Sequence, residues 1–436
     1  MPQEPAGEPR TVSPGPATQR FIPFRRSDLV DMLDEDGRLA HAERDGFRAF
    51  VQLLNAVFHH EFHSRLEALK DAYAPFNPDP DTRAVRRYDG EDREAARRRL
   101  VAGLRELLDH GNFEPISDQD LQTAFEEESL LDLHLAVDRS DFEDVLFFRR
   151  GVTVREEELT SWLGLRRRTV VFTNYEKVLM LVTFKDAEHF TDQDPDELPF
   201  TPGSTILKLF QDVPRADLEM LFPNAEPRMR RVDKLLIGVP ALVSGIVVLA
   251  TKLLTTLGLL LLLAGFWLGV RDEPVELDQA TLVTLGAGLG SLGGYLTRQF
   301  NKFKKRKMEF MKTLSDNLYF RNLDNDTGVL HHLIDDAEEE EAKEALLGWY
   351  FLRIADAPLA PGQLDEAIEA WFRNQQDLAM DFEVHDGIDK LKELRLLEDV
   401  DGGRLAEVPM DEAMRRLDER WDRYFQYDRP LRDRSG

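Results

Sequence analysis

Between Ala40 and Tyr73, apolar residues recur at steps of three and four: Phe47, Phe50, Val51, Leu54, Phe58, Phe62 and Leu66. That spacing places them on one helix face, so the stretch reads as one long amphipathic helix turned toward a core. Ahead of it, Ser27 or Asp28 can cap a short helix carrying Leu29, Val30, Met32 and Leu33. The segment PFNPDPDT (75–82) breaks the helical pattern, which resumes from Asp92 to Leu108 through Ala96, Leu100, Leu104 and Leu107. Past Ser117 the period shortens. The runs LHLAV (134–138), VLFFRR (145–150), RTVVFTN (168–174), VLMLVTF (178–184) and STILKLF (204–210) are β-branched or aromatic and separated by turn formers. They predict an antiparallel meander with Asn174–Lys177 as a hairpin connection, followed by a short helix over 214–223.

Two stretches are apolar on all faces. Residues 235–270 carry one charge, Lys252, and residues 280–297 carry none. A membrane span needs about 20 apolar residues, so both meet the length rule. At about 1.5 Å per residue the first would be roughly 54 Å long, too long for one straight crossing of about 30 Å. Either 253–270 spans while 235–251 lies interfacial or re-entrant, or the stretch crosses twice. Arg228, Arg230, Arg231 and Lys234 precede the block, and Arg298, Lys302, Lys304, Lys305, Arg306 and Lys307 follow it. Basic clusters at both outer ends favour an even number of crossings, with both flanking domains on the cytoplasmic-type side.

Composition narrows the chemistry. With 82 acidic against 56 basic residues, the 436-residue chain has a formal charge of -26, which opposes nucleic-acid binding. It has no cysteine, which removes disulfides, thiolate metal sites and cysteine nucleophiles. Residues 1–20 are rich in Pro, Gly and polar types and read as a disordered tail. After the second apolar stretch, GVLHHLIDDAEEEEAKEALLGWYFL reads as a helix whose Glu338–Glu341 run is a solvated face. LDEAIEAWFRNQ, FEVHDGIDKLKELRLL and a strand pair around Asp401-Gly402-Gly403 then give helix, helix, hairpin, an order resembling a winged helix. Its candidate second helix, His385–Leu396, balances Lys390, Lys392 and Arg395 against Asp386, Asp389 and Glu393, so it carries no footprint for phosphate.

The phrases FIPFRRSDL, LFFRRGVTV, LKLFQDVPRADLEMLFPNAEPRMRRVDKLLIGVPAL and NLYFRNLDNDTGVLHHLIDDAEEEEAKEALL resemble the DUF3754 family of membrane proteins found in bacteria and plants, with a mitochondrial relative in animals. The resemblance runs from Phe21 to the winged-helix-like end. It implies a two-pass membrane protein and no particular reaction.

Candidate sites are few. His59 and His63 lie four apart on the long helix, a spacing at which two imidazoles can share a divalent metal, although HHEFH is one residue short of a zincin motif. His332 reaches Asp335 and Asp336 at helical spacing and repeats the theme. Gly288-Leu-Gly-Ser-Leu-Gly293 matches a dinucleotide fingerprint but is followed by a basic segment instead of a second strand. Gly286, Gly290 and Gly294 read better as a flat strip for helix packing, against a neighbouring span or a second copy.

The expected architecture is thus an α+β soluble N-terminal domain (21–226), a two-helix transmembrane hairpin (235–298) and a mainly α, winged-helix-like C-terminal domain (308–436). The expected location is an integral position in a membrane, the inner, cytoplasmic one if the chain is bacterial, with both acidic domains cytoplasmic. The expected function is a membrane-anchored scaffold or regulator whose partners are the lipid bilayer, other proteins and further copies of itself, with no nucleic acid. The alternative is a metal-dependent enzyme or metal sensor built on the His, Asp and Glu clusters.

Overall fold

A computed structural model of the chain describes residues 10–12, 19–80, 82–83, 85, 88–126, 135–161, 166–191, 198, 200–227, 254–268, 279–400 and 402–425. Contacts divide the chain into two units: Met1–Glu128, Arg139–Pro223 and Arg321–Gly436 form the first, and Ser129–Asp138 with Asn224–Phe320 form the second. Most of residues 21–226 and of 308–436, read from sequence as separate domains, fall together in the first unit.

In the first unit, α1 (Arg26–Glu35), α2 (Arg44–Tyr73) and α3 (Gly90–His110) precede the sheet. The apolar stripe of α2 is buried as its spacing requires, with Phe47, Phe50 and Leu54 fully inside. Asp89 caps α3 by accepting the Asp92 N–H at 2.9 Å, and the helix buries Ala96, Leu100, Leu104 and Leu107. A short strand, β2 (Glu114–Pro115), and α4 (Asp118–Glu126) lead to the long strands β4 (Phe142–Ser161) and β5 (Arg166–Phe184) and to β6 (Thr205–Pro214). With β1 (Arg10–Val12) and β8 (Asn322–Asn325) they form an antiparallel sheet in the order β1-β4-β5-β6-β8, with β2 also on β4.

The hairpin expected at Asn174–Lys177 is absent. Those residues lie within β5, with Asn174, Tyr175 and Lys177 paired on both sides, because the sequence RTVVFTNYEKVLMLVTF alternates well enough to continue through its polar centre. The helix expected over 214–223 is a 3-10 turn, Arg215–Leu221.

The last part of the first unit is built around α7 (Thr327–Arg353), every residue of which from Glu340 to Leu352 is buried. It packs against α1, α2 and α3 and against α8 (Pro361–Gln376), α9 (Val384–Glu393) and the strand β10 (Arg404–Glu407). Phe50 meets Trp349 at 4.4 Å between ring centroids and Phe47 meets Tyr350 at 5.8 Å, so the aromatic core joins α2 to a helix almost 300 residues later. β9 (Leu397–Val400) pairs with β10, and α10 (Met410–Tyr424) follows and packs on α2.

In the second unit, the described elements are β3 (Leu135–Ala136) paired with β7 (Glu226–Pro227), α5 (Leu254–Trp267) and α6 (Gln279–Arg321) up to Phe320. The transmembrane hairpin is corrected here, and with it the inner-membrane location: among the described residues, no helix is long and apolar enough to cross a membrane. α5 has 14 residues, about 21 Å, short of a core of about 30 Å. α6 has the length, but its uncharged part carries five glycines, three threonines and a serine over 280–297, which dilute its apolar surface. Residues 235–251, the loop 271–278 and Arg228, Arg230 and Arg231 lie outside the described residues.

Candidate functional site

The acidic run of α7 is the opposite of a solvated face: Glu340 is 0% exposed, and Glu338, Glu341, Lys343 and Glu344 are buried beside it. Buried charges need partners, and here they come from distant segments. Glu340 accepts the Ile22 N–H at 2.6 Å and an Arg150 Nη2–H at 3.2 Å, and lies 3.0 Å from the Lys343 ammonium. Lys343 in turn donates to the Ile22 and Phe24 carbonyls at 2.8 and 3.2 Å. Glu339 accepts the Arg26 N–H at 2.7 Å. Residues 22–26 are therefore strapped onto α7 by its side chains, in a stretch up to Arg25 that belongs to no helix or strand and so has no ladder partner for its backbone groups.

The neighbouring turn of α7 is held from the other side. Glu341 sits 2.5 Å from His110 Nδ1 and in direct contact with Lys390 Nζ. Burial, with the Lys390 cation next in weight, pushes the His110 imidazole down to about 4, so it stays neutral beside this pair. Glu344 accepts from Asn112 Nδ2 at 3.0 Å, yet burial and the nearby Glu340 raise its carboxyl well above the ordinary range.

One turn before Glu340 on the same helix, Asp336 takes Lys177 Nζ at 2.7 and 2.6 Å and lies 3.4 Å from Arg150 Nη1. Lys177 and Arg150 face one another across β5 and β4. Here the first unit opens a cavity of about 360 Å³ that Asp336, Arg150, Lys177 and Phe21 line together with Glu176 and Asp212. The registers on either side put Gly151 and Asp212 beside Glu176, and both have positive φ, 69° and 52°. Asp212 holds this left-handed backbone with its carboxylate on Arg155 at 2.6 Å and its carbonyl on Arg321 at 2.6 Å. A side chain at Gly151 would fall 2.7 Å from the carboxyl carbon of Glu176, which would have to swing aside, and the positive φ itself favours glycine there.

The sequence-derived metal residues do not converge. His59 is exposed and bonds Glu338 at 3.0 Å, while His63, one turn on, is exposed. His332 turns to Asp324 at 3.3 Å, Asp335 is exposed, and Asp336 is occupied by cations. Among the described residues, no group of three or more His, Asp or Glu is placed to hold a metal ion. Sequence reasoning missed Arg150, Lys177, Glu340 and Lys343. Their signal was a charge set inside an otherwise apolar element, as in VLFFRRGV and EAKEALLGWYFL.

The second unit shows another kind of surface. On α5, Leu261, Trp267 and the following Leu268 are 65%, 83% and 78% exposed, and on α6 Leu282, Val283, Phe300 and Met308 are exposed as well. Lys302, Lys304, Lys305, Arg306 and Lys307 fall on α6, and the Lys304 and Lys305 side chains are exposed. A Cβ added at Gly286, Gly290, Gly293 or Gly294 would meet no atom within 4 Å, so among the described residues nothing packs on that strip.

No solved structure matches the chain. The two-pass description that the sequence resemblance implied is not carried by the described helices, but residues 175–328, from within β5 to the start of α7, match the family model described as "Protein of unknown function (DUF3754)", which supports assigning the chain to that family.

Proposed function

We propose that the protein is a scaffold or regulatory protein that works at an anionic lipid surface, touching it with α5 and the basic part of α6 and not crossing it. The carrying observation is the exposure of large apolar side chains on an uncharged helix, Leu261 and Trp267 on α5 with Leu268 just beyond. Contiguous apolar exposure of this kind marks a surface that something covers. The chemistry of the cover follows from charge: within a chain of net charge -26, positions 298–312 hold Arg298, Lys302, Lys304, Lys305, Arg306, Lys307 and Lys312 against a single acid, Glu309. Apolar side chains together with a Lys and Arg cluster suit the boundary of an anionic bilayer, where each cation contributes about 1 kcal/mol near the surface.

Flotation of the full chain with phosphatidylcholine vesicles, with and without roughly one third phosphatidylglycerol, tests this. Co-flotation with the anionic vesicles, weakened by salt and by Trp267→Ser, is the expected result. A chain left at the bottom with both compositions at low salt overturns it. So does self-association that the same substitution abolishes, which would make the surface a contact between copies.

A further inference from the structure

The cavity beside Asp336 is lined by a buried guanidinium whose bonding is incomplete and by a half-buried carboxylate with no partner among the described residues. Arg150 is 7% exposed, and its guanidinium lies with the Phe21 ring 4.6 Å away and the Phe113 ring 5.6 Å away. Only its Nη2 makes a hydrogen bond, to Glu340; Nε and Nη1 make none, although Nη1 lies 3.4 Å from the Asp336 carboxylate. A buried guanidinium with free N–H groups is costly, and its planar fork suits a carboxylate. The second group is Glu176, which lines the same cavity and makes no hydrogen bond or ion pair with a described residue. Burial raises its carboxyl above the ordinary range.

We propose that this cavity binds a small zwitterion of the α-amino-acid class, its carboxylate on the free edge of Arg150 and its ammonium on Glu176. Charge balance selects the class: Arg150, Arg155 and Lys177 face Glu176, Asp212 and Asp336, three of each sign. A ligand with one net charge of either sign would tip that balance, whereas a dipolar one supplies both missing partners. The volume of about 360 Å³ exceeds that of a simple ion and lies at the low end of small-molecule sites, about 300–1,000 Å³. The left-handed backbone at Asp212 and Gly151, on both sides of Glu176, is the local strain that binding sites often hold.

Calorimetric titration of the full chain with L-alanine, L-glutamine, acetate and methylammonium tests the proposal. At least one amino acid should bind saturably and at least tenfold more tightly than acetate or methylammonium. Glu176→Gln should weaken that binding tenfold or more and leave the melting temperature in place, since no hydrogen bond of the described structure is lost. Arg150→Lys should weaken it too, but Arg150 also bonds Glu340, so Glu176→Gln decides. Acetate binding as tightly as the amino acids would make this a plain anion site and overturn the proposal. Unchanged binding by Glu176→Gln, or no saturable heat up to about 10 mM of either amino acid, overturns it equally.

Discussion

α6 and α7 are successive long helices, and their environments invert what their sequences suggest. α7 carries the acidic run Glu338–Glu341 and buries it; α6, with its apolar first half, leaves Leu282, Val283 and Phe300 exposed. Residue type alone does not decide burial. A charge can be buried when a partner of opposite sign or a backbone dipole is delivered to it, and an apolar side chain stays exposed when nothing in its own unit covers it. For α7 the partners come from residues 22–26, Asn112, Arg150, Lys177 and Lys390, separated from it by between about fifty and over three hundred residues.

The difference between a buried and a solvated carboxylate is largest at Glu340. Removing one member of a buried charge cluster strands the others, typically costing about 3–5 kcal/mol. Glu340→Ala leaves Lys343 and Arg150 short of an anion and the Ile22 N–H short of an acceptor. Thermal or urea unfolding should show a loss of that order, whereas Glu366→Ala, at an exposed pair with Arg373, should change stability by less than about 1 kcal/mol. Equal effects would mean that the run is solvated after all.

Much of the helical framework was legible in the sequence, because a stripe such as Phe47, Phe50, Val51 and Leu54 depends only on local periodicity. The β4, β5 and β6 runs were legible for the same reason, though Asn174–Lys177 passed for a turn because Asn174 is a turn former and the polar Glu176 and Lys177 interrupt the apolar run. The candidate site was not legible. Its charges look like ordinary surface residues until Ile22, Arg150 and Glu340 are seen together, and no local rule brings residues 22, 150 and 340 together. The transmembrane hairpin was misread for two reasons: the helix within the first apolar stretch is only 14 residues long, and the glycines, threonines and serine of 280–297 dilute the second.

Within α7, Glu344 ties stability to pH. Its carboxyl is raised by burial, so the folded chain holds a proton there that the unfolded chain releases above about 4.5. Stability contributed at this position therefore falls as pH rises above that value. Glu344→Gln keeps an acceptor for Asn112 and has no proton to lose. Its free energy of unfolding should match the parent near pH 4 and exceed it increasingly toward neutrality, by on the order of 1 kcal/mol. A difference that does not change with pH would show that Glu344 is ionised in the fold and compensated by its neighbours.

The smallest effect on stability is expected where the apolar side chain is exposed. Leu261 is 65% accessible on α5, so replacing it by Asp removes little buried surface and leaves no cavity. Surface changes of this kind usually stay within about 0.5 kcal/mol, against the several expected at Glu340. Aspartate at 261 nevertheless places a charge where the proposed lipid contact is apolar, so flotation with anionic vesicles should drop while the unfolding curve stays put. That dissociation of stability from binding is what separates a surface kept apolar for a partner from a misjudged core. Should Leu261→Asp instead lower the melting temperature as much as Glu340→Ala, then α5 is covered within the folded chain, and the contrast drawn between the two helices fails on the α5 and α6 side.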